Sequence, residues 1–156
     1  MRHTIQALVE NKFGVLARVA SLFSARGYNI SSLAVGETQD PTMSCMTIVV
    51  NAQDEGILEQ IKKQLHKLID VVTVIDFTRR EYIDRELILI KLEKNKKQQD
   101  FTKIEKDKTV RVIEDKKDYK IIEICADKDK IEDIFKSLKS FKIKELVRTG
   151  KIAMAK

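Results

Sequence analysis

From Thr4 to Val9 the chain alternates polar and apolar positions, which puts Ile5, Ala7 and Val9 on one face of a strand. Beyond the polar stretch Glu10-Asn11-Lys12 and Gly14 the period lengthens. Val15, Leu16, Val19, Leu22 and Phe23 fall within about 120° of a helical projection. Gly27 stands where a helix commonly ends in the left-handed conformation, so the pattern predicts a helix over 15–26. Two strands are expected next, Asn29–Val35 and Cys45–Asn51, joined by a loop that holds the sole proline, Pro41. Gln53 or Asp54 can cap a second helix whose Ile57, Leu58, Ile61, Leu65, Leu68 and Ile69 share one face. At Asp70 that helix gives way to a strand, Val71–Phe77. The order βαββαβ is that of a ferredoxin-like unit, with two helices on one face of an antiparallel sheet.

The pattern then breaks into the charged connector Arg79-Arg80-Glu81-Tyr82-Ile83-Asp84, and the sequence nearly repeats its first half. A strand is expected over Glu86–Leu92, strands over 109–114 and 119–126, a helix over 129–140 and a strand over 142–147. Between 93 and 108 only Phe101 and Ile104 could face a core, so the first helix of this half is either short or loosely docked. The expectation is an α+β protein of two tandem ferredoxin-like units, the second a related α/β sandwich: residues 1–78, a linker 79–85, and residues 86–156. Four-stranded sheets of this kind leave edge strands that proteins pair or cover, which points to a homodimer with twofold symmetry.

With 156 residues, 43% of them apolar, the chain can bury a sizeable core. No apolar run approaches the roughly 20 residues needed to cross a bilayer. Met1 leads directly into strand pattern, which argues against a signal or transit segment. The expected location is the bacterial cytoplasm, or the plastid stroma if the gene is organelle-encoded. The net charge of +6 lies wholly in the second half, where residues 85–156 hold 21 Lys/Arg against 14 Asp/Glu. Those lysines alternate with acids, as in Asp127-Lys128-Asp129-Lys130, and no aromatic residues interleave with them as stacking platforms. This reads as a solvated surface, with neither nucleic acid nor membrane as a partner. Cys45 and Cys125 have neither metal-ligand nor disulfide-framework spacing and are expected to be buried, reduced thiols. His3 and His66 are the only histidines, and His66 and the Glu132/Asp133 pair read as surface. No catalytic or metal-ligating set emerges.

The strand-loop-helix junction carries the clearest chemistry. The first turn after Gly14 has backbone N–H groups without intrahelical partners and the positive end of the helix dipole, a suitable seat for a carboxylate. Gly14 permits close approach, Asn11 offers an amide donor and a carbonyl acceptor, and Val15 and Ile30 suit an apolar side chain. A plainer alternative is an ordinary turn at Asn11, with Gly14 letting the helix pack close to the sheet.

The segments Leu8-Val9-Glu10-Asn11-Lys12-Phe13-Gly14-Val15-Leu16-Ala17-Arg18-Val19 and Leu22-Phe23-Ser24-Ala25-Arg26-Gly27-Tyr28-Asn29-Ile30 closely resemble the small regulatory subunit of acetolactate synthase, also called acetohydroxyacid synthase. Ser32-Leu33-Ala34-Val35-Gly36, Asp40-Pro41-Thr42-Met43-Ser44, Lys63-Gln64-Leu65-His66-Lys67-Leu68-Ile69-Asp70-Val71, Arg85-Glu86-Leu87 and Arg148-Thr149-Gly150-Lys151-Ile152-Ala153 follow the same family in the same order. The resemblance implies an N-terminal ACT domain, an amino-acid sensor, and a chain with no catalysis of its own. Such a subunit activates a separate large catalytic subunit, which carries the thiamine diphosphate, magnesium and FAD, and confers feedback inhibition by valine in branched-chain amino-acid biosynthesis. By the same resemblance valine sits at an ACT dimer interface, with Asn11, Gly14, Val15 and Leu16 from one subunit and Asn29 and Ile30 from the other. The chain departs from the family at Phe13, where a proline or small residue is usual, and at Cys45, where arginine is usual. The first departure bears on effector affinity and the second on activation. The other reading is a free-standing amino-acid-binding ACT-type regulator, which ordinarily carries a DNA-reading element that the sequence does not display.

Overall fold

The computed structural model describes residues 2–51, 55–94 and 101–156. The chain divides into two units, one formed by residues 1–83 with 151–156, the other by residues 84–150.

In the first unit β1 (Arg2–Glu10) leads into α1 (Val15–Ser24), β2 (Ile30–Glu37), β3 (Met43–Asn51), α2 (Glu55–Leu65) and β4 (Val71–Asp76). The sheet is antiparallel in the order β2-β3-β1-β4. Ile5, Ala7 and Val9 on β1 and Met46, Ile48 and Val50 on β3 face the two helices, and Val15, Val19, Leu22 and Phe23 of α1 with Leu58, Ile61 and Leu65 of α2 close the core over them. Alternation on the strands and a 3.6-residue stripe on the helices thus meet in one dry layer. The expected cap residues Gln53 and Asp54 lie outside the described residues.

Two expectations fail at the end of α2. The helix stops at Leu65 rather than reaching Ile69, because Lys67 and Leu68 donate to the carbonyls three residues back, Gln64 and Leu65, in a tightened last turn. The helical phase ends there, so Ile69 swings out and is 96% exposed while Leu68 still packs on the core. His3, buried on β1, sits 3.0 Å from Thr78 Oγ1 through its Nδ1. The Thr78 hydroxyl in turn donates to Asp76 Oδ1 at 2.7 Å, so it can only accept from the imidazole, which places the proton on Nδ1. Among the described residues Nε2 is left buried without a partner.

In the second unit β5 (Tyr82–Glu93), α3 (Thr102–Glu105), β6 (Val110–Asp115), β7 (Tyr119–Ala126), α4 (Lys128–Ser137) with a short 3-10 turn, and β8 (Ile143–Arg148) repeat the same scheme. Its strand order, β6-β7-β5-β8, reproduces that of the first sheet. β5 begins at Tyr82, inside the stretch expected as a linker, and Tyr82 stacks on Phe77 with ring centroids 4.8 Å apart. The first helix of this unit is short, as one of the two expectations had it. α3 has four residues and is anchored by Ile104 in the core. Beside it the buried Lys120 ammonium is met by Glu105 and by Asp115 at 3.2 Å and lies 4.6 Å from the Phe101 ring centre, so the charge is paired rather than stranded.

Cys125 is exposed and Cys45 only half-buried, against the expectation of two buried thiols. On β7 the core takes Lys120, Ile122, Ile124 and Ala126, and the alternation sends Cys125 to the opposite face. Burial pushes the Cys45 thiol above its ordinary range, with a hydrogen bond to Gln6 acting the other way.

The sequence reading also left β9 (Ile152–Ala155) without an element of its own. It pairs with β5, and residues 151–156 cluster with the first unit rather than the second. Gln6 Nε2 donates to the Ala153 carbonyl at 2.8 Å and Lys151 N–H to Ser32 Oγ at 2.9 Å, so the chain end is held by polar groups on the face of the first sheet away from its helices.

Asp107 organises the approach to β6. It accepts from Thr109 N–H and Oγ1 and pairs with Lys130 of α4 at 2.7 Å, and these contacts, the Lys130 hydrogen bond foremost, hold its carboxyl at about 2. A carboxyl lowered from 3.8 stabilises the folded state above that value and loses its contribution as the pH falls through about 2. Asp107→Asn is therefore expected to lower thermal stability at pH 7, with the gap to wild type narrowing between pH 3.8 and 2. Melting curves across that range check it, and a gap that does not change with pH would show that the ion pair contributes nothing.

Candidate functional site

The junction after β1 is built by backbone geometry. Gly14 caps α1 at φ 80°, in the left-handed region that favours glycine, and the Arg18 N–H donates to its carbonyl at 2.9 Å. Val15 N–H is taken by the Lys12 carbonyl, which leaves the N–H groups of Leu16 and Ala17 as first-turn donors without intrahelical partners. The first turn carries no acidic side chain, so nothing on α1 itself offsets the positive end of the dipole.

Asn11 is more committed than its sequence suggested. Its Nδ2 donates to Glu37 Oε1 at 3.0 Å and to the Pro41 carbonyl at 2.9 Å, and its N–H donates to the Thr42 carbonyl. The amide thus braces the end of β2 and the Pro41 loop. Both of its donor hydrogens are used, and Oδ1 is the atom left to accept from a ligand.

Behind the loop lies a clamp that sequence reasoning missed. Asp70 is buried; its carbonyl accepts from Glu10 N–H at 2.9 Å and its carboxylate from Arg18 Nε at 2.8 Å. Arg18 lies over Gly14, so close that a methyl group on Gly14 would come 3.0 Å from its Nη1. The sequence offered no signal for their contact, since Arg18 and Asp70 are separated by 52 residues and stand in two different segments of the family resemblance.

The remaining sequence-derived site residues separate into three positions. Val15 is buried in the core, so its side chain cannot line a ligand pocket; Leu16 is exposed beside it. Phe13, the departure from the family pattern, is fully exposed. Asn29 and Ile30 lie at the start of β2, whereas Asn11 is bonded to Glu37 at its end. Seven residues of strand separate those ends by roughly 23 Å, so one chain does not bring the two halves of the set together.

Residues 5–73 match the model of the AHAS small subunit-like ACT domain, and residues 85–156 match that of the small subunit of acetolactate synthase. A probable acetolactate synthase small subunit of Archaeoglobus fulgidus is 44% identical over all of this chain and 98% of its own length. The chain belongs to the acetolactate synthase small-subunit family. Its Mycobacterium leprae relative, also named acetolactate synthase small subunit, is 44% identical over 99% of this chain and 91% of that protein. The crystal structure of the acetolactate synthase small subunit from Thermotoga maritima superposes with a TM-score of 0.86 at 35% identity, covering 100% of this chain and 98% of that one. These relatives span both units, so the two ferredoxin-like units are the family's architecture. Among the described residues no helix is long and apolar enough to cross a membrane, and no group of three or more His, Cys, Asp or Glu side chains is placed to hold a metal ion.

For this member of the acetolactate synthase small-subunit family, the conformational demand at the junction can be separated from its packing. Gly27 also has positive φ, 68°, but a methyl group there would meet nothing within 4 Å. Gly27→Ala is expected to cost about 1–2 kcal/mol from backbone strain alone. Gly14→Ala should cost at least as much, since Arg18 Nη1 must also give way by a few tenths of an ångström. Urea unfolding of the two variants and of wild type checks this order, and a harmless Gly14→Ala would contradict it.

Proposed function

We propose that this chain is the regulatory subunit of acetolactate synthase. It binds the large catalytic subunit, which carries thiamine diphosphate, magnesium and FAD, raises its activity, and withdraws that activation when valine is bound. The observation that supports this reading best is the family match along both units, and the junction adds chemistry suited to an α-amino acid.

The valine carboxylate is received by the Leu16 and Ala17 N–H groups at the positive end of α1, and its ammonium by Asn11 Oδ1. Gly14 keeps the backbone open to both. The separation of Asn29 and Ile30 from this point is resolved by pairing. β2 is an edge of its sheet. Two β2 strands paired antiparallel about a twofold axis put Ile30 of one subunit beside Glu37 of the other, and Glu37 holds Asn11. The isopropyl group then lies between Leu16 and the partner's Ile30. Because the effector touches both subunits it favours one dimer geometry over another. A coupling of about 1–3 kcal/mol, 5- to 150-fold, is enough for feedback control.

The test is acetolactate formation by a matched catalytic subunit, with and without this chain, across a valine titration. Activation that valine reverses is expected. Gly14→Asp should lose the valine response, because a carboxylate at that point blocks the seat and repels the ligand, and Asn29→His should weaken the response. Retained valine sensitivity in Gly14→Asp would contradict the placement of the site. Absence of activation with a properly matched partner would contradict the function and favour a free-standing regulator.

A further inference from the structure

The outer surface of the first unit's helix layer carries a groove of about 540 Å³ between α1 and the end of α2. Its floor is small and apolar, formed by Ala17 and Leu22 on one side and Leu68 on the other, with Ser21 between the first two. Its rim is cationic, from Arg18, Arg26 and Lys67. Arg18 is neutralised by Asp70. Arg26 spends its guanidinium on neutral acceptors, the Leu22 carbonyl at 3.2 Å and Gln64 Oε1 at 2.8 Å, and neither Arg26 nor Lys67 has a carboxylate partner among the described residues. The first half of the chain is otherwise balanced, with 9 Lys/Arg against 10 Asp/Glu in residues 1–84, so two unneutralised cations on one groove are a local excess rather than a consequence of overall charge.

We propose that this groove docks an acidic helical segment of the catalytic subunit, a proposal that rests on the regulatory reading above. Three features favour that occupant. A channel between two helices, floored by Ala17 and Ser21 one turn apart, accepts the side-chain ridge of a third helix. A carboxylate on such a helix meets the guanidinium of Arg26 and the ammonium of Lys67, and a guanidinium held in place by Gln64 is already set for two-point contact. The groove also reaches the effector junction, since Gly14 lines it and Arg18 lies over Gly14. A ligand at the junction can therefore change the surface on which the catalytic subunit sits without any longer path.

The experiment measures association of the full chain with its matched catalytic subunit by sedimentation and by titration of activation, using wild type, Arg26→Glu/Lys67→Glu, and Ser21→Trp. All three positions are exposed, so the fold is expected to survive, and circular dichroism melting monitors it. The charge reversal should weaken association about tenfold or more and flatten its salt dependence. Ser21→Trp, which fills the groove and leaves its charge alone, should weaken association as well, and valine binding to the chain by itself should be unchanged in both. Association of the variants at wild-type strength would overturn the proposal and leave the regulatory function standing. So would loss of self-association in the chain alone, which would give the groove to a second copy. Wild type that does not associate with the matched subunit would overturn the regulatory reading, and this proposal with it.

Discussion

One buried carboxylate holds the junction between β1 and α1 in place. Asp70, 6% exposed, stands in the turn between α2 and β4; its backbone carbonyl ties that turn to the end of β1, and its side chain ties it to Arg18 on α1. A charge taken out of water must be paired, so the position of Arg18 is not free to drift. Arg18 in turn lies over Gly14, and Gly14 sets the entry to α1. The loop that offers backbone donors to a ligand is thus held from behind by an interaction that itself touches no ligand. Asn11 fixes the other side, spending its donors on Glu37 and the Pro41 carbonyl.

This arrangement makes an otherwise ordinary sheet edge consequential. The first sheet ends in β2, whose two ends carry different halves of the proposed effector set: Asn29 and Ile30 at the start, Glu37 with Asn11 at the finish. An antiparallel pair of such edges is the simplest way to unite them, and it would make ligand occupancy and subunit geometry the same variable. A regulatory subunit of the proposed kind would need no catalytic group of its own. On that proposal its work is to present a surface whose shape depends on an amino acid, and the basic groove beginning at Gly14 is a surface so situated.

Much of the fold was legible because each unit follows one period at a time. Ile5, Ala7 and Val9 alternate, Val15, Val19, Leu22 and Phe23 recur at helical spacing, and the same logic gave β7 and α4. The pattern misled where a backbone hydrogen bond overrode it, as at Ile69, and where a strand has two fates, as for Cys125 on the outward side of β7. It was silent on β9, whose four residues are too few to show a period and whose placement depends on contacts with Gln6 and Ser32 more than a hundred residues earlier. Of the site, Gly14 could be read because a turn demands glycine there. The role of Asp70 could not, because a contact between distant charged residues leaves no mark in local sequence.

The effector seat proposed above is shared between two copies of the chain, and a mixed dimer tests that sharing directly. A dimer of one Gly14→Asp chain and one Asn29→His chain would contain one seat with both defects and one seat with none. Valine titration by calorimetry on the purified mixed dimer should then show one site per dimer at wild-type affinity, although neither parent dimer binds normally. If the seat were built within a single chain, every seat in the mixed dimer would carry a defect and normal-affinity binding would be lost, which would contradict the account.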